Sequence, residues 1–161
     1  MKKAFSPVMN SEGSVIVLAL MVLTLLTIVS LASTNTANTE IEIASAELNY
    51  QSNFYLAEGA AMEAARWLDN NPISGTGPSW METTAGALNE DTIDEYWAGK
   101  KAVQPQTCAL DGDAMFIAST EGAAGGNSLD VGKTKVREIT IYGRSQKRGV
   151  VEIRLGYRTA F

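Results

Sequence analysis

The chain contains no histidine. That removes the Ser-His and Cys-His nucleophile pairs and imidazole metal ligation together. Its one cysteine, Cys108, cannot form an internal disulfide, and without histidine beside it no ordinary zinc site is available. A lone thiol reads first as a small buried hydrophobe, with dimer formation or reactivity as alternatives. No lysine has a serine three residues before it, so a Ser-x-x-Lys dyad is missing as well. Between Val15 and Ala32 there is no charge, no proline and no glycine. These absences exclude most hydrolytic and metal-dependent chemistry. A non-enzymatic protein with no cofactor and no metal is expected.

What is present is an ordinary folded-chain composition, 45% hydrophobic and 19% charged over 161 residues, with room for one domain. Charge is segregated. Residues 69–130 carry ten acids against Lys100 and Lys101, and residues 131–161 carry eight basic residues against Glu138 and Glu152. Such blocks attract one another within a fold or between subunits, or stand as two solvated faces.

The apolar run Val15–Ala32 is eighteen residues, roughly 27 Å as a helix and about one hydrocarbon core. A secretory h-region is shorter, about 7–15 residues, although Ser30-Leu31-Ala32 also reads as a signal-peptidase pattern. Lys2 and Lys3 precede the run, and no basic residue follows until Arg66. The positive-inside bias therefore leaves the N-terminus cytoplasmic and the remainder outside. The preamble "MKKAFSPVMNSEG" is short, basic and polar, and ends in Gly13 directly before the apolar run. It has the shape of a prepilin leader, cut between Gly13 and Ser14 with the apolar segment left attached.

The helical pattern continues beyond the run. From Thr39 to Asp69 there is no proline and a single glycine, Gly59. Ile41, Leu48, Tyr55 and Met62 recur every seven residues, while Ala57, Ala61, Ala64 and Leu68 follow spacings of four, three and four. Both are helical periods. Asn70-Asn71-Pro72 ends the pattern. The expectation is one helix of about 55 residues, about 80 Å long, apolar in its first third and amphipathic afterwards. Lipid or other helices must cover its first part, and the remaining residues can cover its second.

The stretch "GSVIVLALMVLTLLTIVSLASTNTANTEIEIASAELNYQSNFYLAEGAAMEAARWL" resembles the N-terminal region of PilX-type minor pilins of the type IV pilus. The shared features are a glycine-ended leader, a leucine-rich core, a Thr/Asn-rich stretch, and an Ala-Glu-(Ala/Gly) element, here Ala57-Glu58-Gly59. The resemblance covers about residues 10–70. It implies an α+β pilin-like fold, in which a long N-terminal helix packs on a small antiparallel sheet. The implied divisions are a leader at 1–13, a membrane and assembly half-helix at 14–38, an amphipathic half-helix at 39–71, and a C-terminal domain at 72–161. The implied partners are other minor pilins and the major pilin, prepilin peptidase, the inner-membrane assembly platform and membrane lipid.

The chain departs from the common pilin pattern. Most pilins have glutamate at the fifth mature position, where it pairs with the terminal amine of a neighbouring subunit; counting from Ser14, that position is Leu18. An unpaired carboxylate in lipid is costly, and a subunit at the filament tip has no amine above it to neutralise. Leu18 therefore points to a priming or tip role, or is one more lipid-facing leucine. Ser14 replaces the usual phenylalanine at the first position, which leaves N-methylation open. Where major pilins often place a helix-breaking proline, Asn35 stands within "STNTANT", so Asn35, Thr36 and Asn38 are the candidate region for local melting on assembly. Thr24, Thr27 and Ser30 form a small polar stripe. It allows close helix approach or back-bonds to its own helix carbonyls.

In the C-terminal half, "DTIDEYWAGK" at 91–100 reads as a short helix, and Trp80, Tyr96 and Trp97 are expected to cap the apolar face of the long helix. "AMFIAS", "KVREITIYGR" and "VVEIRLGYR" read as strands with one polar face, the last two joined by a "SQKRG" hairpin loop. The resulting sheet is expected to pack on the helix near Leu48 to Leu68. "GGNSLDVGKT" lacks the first glycine of a phosphate-binding loop, since Asn127 stands there. "DGD" at 111–113 is a polar turn or a calcium-loop fragment without a ligand series. The basic group Arg137, Arg144, Lys147, Arg148, Arg154 and Arg158 suits protein contacts better than nucleic acid, because no exposed aromatics are expected among them for stacking and an acidic block lies next door.

The reading that results is a minor pilin, inserted once in the inner membrane with its C-terminal domain in the periplasm and later carried into the pilus. The alternatives are a pseudopilin like those of type II secretion, or a membrane-anchored periplasmic module binding a ligand or DNA.

Overall fold

The computed structural model describes residues 11–71, 73, 77–123 and 136–160. Helix α1 runs unbroken over Ser11–Asn70, sixty residues. It stops where the sequence predicts: the Asn70 and Asn71 side-chain amides donate to the carbonyls of Arg66 and Trp67, each at 2.9 Å, and satisfy groups the ending helix leaves open. By compactness the chain divides into two units, residues up to Ala46 and residues from Glu47 onward.

Among the described residues, the second unit contains the C-terminal part of α1, a short helix α2 (Ile93–Trp97) and five strands: β1 (Met81–Glu82), β2 (Gln106–Thr107), β3 (Ala114–Ala123), β4 (Val136–Ser145) and β5 (Val151–Ala160). The order is β1-β3-β4-β5, with β2 also paired to β3. The three long strands are antiparallel, as their alternation predicts. The sheet is nevertheless mixed, because β1 lies parallel to β3, with Met81 opposite Ala118. The connection from β1 to β3 carries α2 and is long enough for a parallel return, whereas a two-residue strand shows no period in the sequence. A register shift between Thr120 and Gly122 bulges β3; Gly122 has φ +96°, which glycine adopts without strain.

The row of α1 that faces the sheet is Asn53, Ala57, Ala60, Ala61, Ala64 and Leu68, all buried. The alanine series is therefore the packed one. The heptad series Ile41, Leu48, Tyr55 and Met62 is exposed throughout, which corrects the expected packing near Leu48. The reason is separation. Gly143, near the C-terminal end of β4, lies so close to α1 that a Cβ there would overlap the Ala57 carbonyl oxygen and lie 3.1 Å from the Ala61 Cβ. Only methyl groups and hydrogens fit in such a gap.

A second correction concerns the far side of the sheet. In β4, Ile139, Thr140, Ile141 and Tyr142 are all buried, so the strand has no polar face. One core lies between α1 and the sheet and includes Trp80, Phe116, Ala118, Ile139 and Ile141. Another lies on the opposite face, where Leu88, Ile93 and Tyr96 cover Ile117 and Tyr142. Of the three aromatics expected to cap α1, Trp80 alone does so, wedged edge-on between Trp67 (5.3 Å) and Phe116 (5.0 Å). Tyr96 belongs to the opposite core and Trp97 packs against it, because α2 crosses that face. Only β5, at the sheet edge, keeps the clean alternation the sequence shows, with Ile153, Leu155 and Tyr157 turned to the first core.

The substitution Gly143→Ala should therefore force α1 off the sheet. We expect a loss of about 2–3 kcal/mol or more, the upper range for overpacking, because backbone rather than a movable side chain is in the way. Thermal unfolding of the full chain in detergent measures it; an unchanged midpoint would contradict the close approach.

Candidate functional site

The residues expected to act lie along α1 before Ala46. Gly13 and Ser14 stand in its opening turns, and residues 1–10 of the expected leader lie outside the described residues. From Ser14 the helix is long and apolar enough to cross a membrane, with a mean hydropathy of 2.9 in its most apolar window and nothing in that window buried. Leu18 is exposed among Val15, Ile16, Val17 and Leu20.

Both readings of the hydroxyl stripe bear on the geometry. Thr24 donates to the Met21 carbonyl and Thr27 to the Leu23 carbonyl, each at 2.8 Å. Thr34, Thr36 and Thr39 do the same to Ser30, Ala32 and Asn35 at 2.9–3.1 Å. A hydroxyl whose proton is held by its own helix can sit in lipid without an outside partner and still present only a small group to a neighbour. In the candidate melting region, Asn35, Thr36 and Asn38 are helical and exposed.

The second unit holds its loops to α1 with polar contacts. Buried Asn53 accepts from the Ser145 hydroxyl at 3.0 Å and donates to the Gly149 carbonyl at 3.4 Å, fixing the β4–β5 hairpin. Tyr157 donates to Asp69, near the end of α1. Glu63 accepts from the Cys108 thiol and from the Ala109 amide, both at 2.9 Å. Cys108 is buried as the sequence predicts, but the carboxylate beside it is a partner that one-dimensional reading missed. Forty-five positions separate the two residues, and no local period links them.

The segregated charges meet within this unit. Asp94 pairs with Arg144 (3.5 Å), Asp111 with Lys147 (2.9 Å) and Glu90 with Arg154 (4.0 Å), three acids of the first block against three bases of the second. Each pair has at least one largely solvated partner, so each contributes at most about 1 kcal/mol. Arg148 donates to Asn49 at 3.5 Å, Arg158 pairs with Glu138 at 3.2 Å, and Arg137 is also engaged. Trp97 donates its indole N–H to Glu152 at 2.7 Å, and burial pushes the Glu152 carboxyl up. The "DGD" stretch is a turn, with the Asp113 amide bonded to the Asp111 carboxylate that Lys147 occupies. Among the described residues no group of His, Cys, Asp and Glu could hold a metal. The "GGNSLDVGKT" stretch lies outside the described residues.

Residues 12–61 match the family model described as PilX N-terminal. Over these residues the chain is similar to the N-terminal segment of PilX-type minor pilins of the type IV pilus. The match covers the apolar run, the Thr/Asn stretch and the exposed heptad row of α1 up to Tyr55, and ends before the loops and strands of the second unit. Neither a curated protein nor a solved structure matches the chain. With its long apolar helix and small mixed sheet, the chain has the α+β architecture of a pilin-like fold.

Cys108 offers a chemical test of how this unit is held. Burial first, and the Glu63 carboxylate second, push its thiol up from the ordinary value. An unfolded thiol ionises near about pH 8.5; above that, the unfolded chain releases a proton the fold retains, and stability falls as pH rises. A Cys108→Ala variant should lose less stability than the native chain between about pH 8.5 and 10. Denaturant midpoints across that window check it, and equal slopes would contradict it.

Proposed function

We propose that this minor pilin primes type IV pilus assembly or sits at the filament tip. It is made with the leader 1–13, enters the inner membrane with its N-terminus cytoplasmic, and is cut by prepilin peptidase between Gly13 and Ser14. The half-helix 14–38 then serves as membrane anchor and assembly element, and the amphipathic half 39–71 carries the periplasmic domain 72–161. Thr24, Thr27 and Ser30 are the close-packing stripe between helices. Asn35, Thr36 and Asn38, with weak helix formers and no proline, are where the helix loosens as the subunit leaves lipid.

The observation that carries the tip or priming role is Leu18. Every residue from Ser14 to Thr39 is uncharged, so the subunit has no carboxylate with which to neutralise the terminal amine of a subunit above it. A shaft subunit with that amine left unpaired in an apolar core would bear a cost of several kcal/mol. At the top of the filament there is no amine to pair. The partners in this reading are the other minor pilins, the major pilin and the inner-membrane assembly platform. The second unit supports a protein-binding role over a nucleic-acid one, because its basic side chains are largely taken up by its own acids.

The test is paired. Deleting the gene should sharply reduce surface pili, and the native chain supplied in trans should restore them. In sheared filaments the protein should be a trace component beside the major subunit. Abundance equal to the major subunit, or piliation unchanged by the deletion, would contradict the role.

A further inference from the structure

The sheet ends at β5, and among the described residues β4 is the one strand beside it. Every second residue of a strand turns its N–H and C=O away from the neighbour it has. Proteins ordinarily blunt such an edge with a short strand, a proline, a bulge or a charge turned inward. β5 uses none of these. It is ten residues long without proline, and its register with β4 is unbroken from Val151 to Ala160. Its inward residues are Val151, Ile153, Leu155 and Tyr157, all only half-buried. The last three pack on the core beneath α1, so one further strand would complete that row.

The other face of β5 carries Glu152, Arg154, Gly156 and Arg158. Glu152 is engaged by the Trp97 indole at 2.7 Å. Arg154 lies over the Tyr142 ring, 5.7 Å from its centroid, and reaches Glu90 only at 4.0 Å. Arg158 holds Glu138 at 3.2 Å, yet its side chain stays 68% exposed. Between the two arginines is a gap, since a Cβ built on Gly156 would meet nothing within 4 Å. Cross-strand neighbours attract when opposite in charge, and a ring placed opposite a glycine covers bare backbone.

We propose that β5 accepts an extended segment of a different protein as an added strand. That segment carries acids opposite Arg154 and Arg158, an aromatic opposite Gly156, and apolar residues opposite Leu155 and Tyr157. The pattern is acid, apolar, aromatic, apolar, acid, and it reads alike in both directions. Main-chain bonds supply the affinity and these side chains the choice of partner. The proposal rests on the function proposed above for the compartment in which the partner is met. A second copy of this chain suits the edge poorly, because its own β5 brings one acid and no aromatic on that face. Two β5 edges joined about a two-fold axis would also turn their α1 helices in opposite directions, whereas copies inserted in one membrane carry α1 the same way.

The test uses the full chain in detergent and a labelled synthetic peptide, Thr-Glu-Val-Tyr-Val-Glu-Thr, with a control in which lysine replaces both glutamates. The first peptide should bind and slow amide hydrogen exchange in β5, and the lysine peptide should bind about tenfold less tightly. A double variant, Arg154→Glu with Arg158→Glu, should keep the native melting midpoint and reverse that preference. Gly156→Val should weaken the tyrosine peptide and spare one with alanine in its place. No binding, equal binding of the two charged forms, or protection on α1 in place of β5 overturns the proposal. So does β5 protection that rises with protein concentration without peptide, the mark of a second copy. If deleting the gene leaves piliation unchanged, the assembly role fails, while the peptide measurements still decide the edge.

Discussion

In the second unit the backbones of α1 at Ala57 and β4 at Gly143 approach so closely that a Cβ at 143 would overlap the Ala57 carbonyl oxygen. It sets the gap between helix and sheet, and the gap dictates which helix residues can face inward. Alanines at 57, 60, 61 and 64 fill it with methyl groups. Each buries little area, so the face gains less from water exclusion than a leucine face would. Larger groups at the two ends offset this. Trp67, Trp80, Phe116 and Leu68 close one end, and the Asn53–Ser145–Gly149 bonds close the other. The hairpin after β4 and the loop after β2 are tied to the same helix, so loops, sheet and helix keep their relations through one shallow contact.

The same constraint explains why the large apolar residues of α1 are outside. A helix that can offer only small residues to its own sheet is free to place Leu48, Tyr55 and Met62 on the opposite side. Exposed rows of this kind are costly for a solitary soluble domain. They are reasonable in a chain whose helix begins as an uncharged segment with back-bonded threonines, built for an environment of lipid and other helices.

Much of this was legible in order of residues. The long helix and its stop at Asn70, the three long strands and the alternation of β5 follow from periodicity alone. The sequence left open whether the two charge blocks meet or stand as solvated faces; they meet at Asp94–Arg144, Asp111–Lys147 and Glu90–Arg154. What was not legible depended on distance. Two helical periods coexist in residues 41–68, and nothing in either says which one meets the sheet; Gly143, seventy-five positions beyond Leu68, decides it. The far-side core was hidden because α2 is only five residues long and Ile117 and Tyr142 alternate with residues of the nearer core. The Glu63–Cys108 clasp joins residues without a shared motif. The roles proposed for Gly13, Ser14 and Leu18 rest on linear position alone, counted from the proposed leader.

The central claim is that the apolar helix is both cut and kept: the leader is removed at Gly13 and the segment behind it stays on the mature protein. N-terminal sequencing of the protein recovered from membranes and sheared filaments of the producing cell tests this directly. A mature chain starting at Ser14 is the predicted result. An intact Met1, or a start at Ser33 after removal of the whole apolar run, would contradict it.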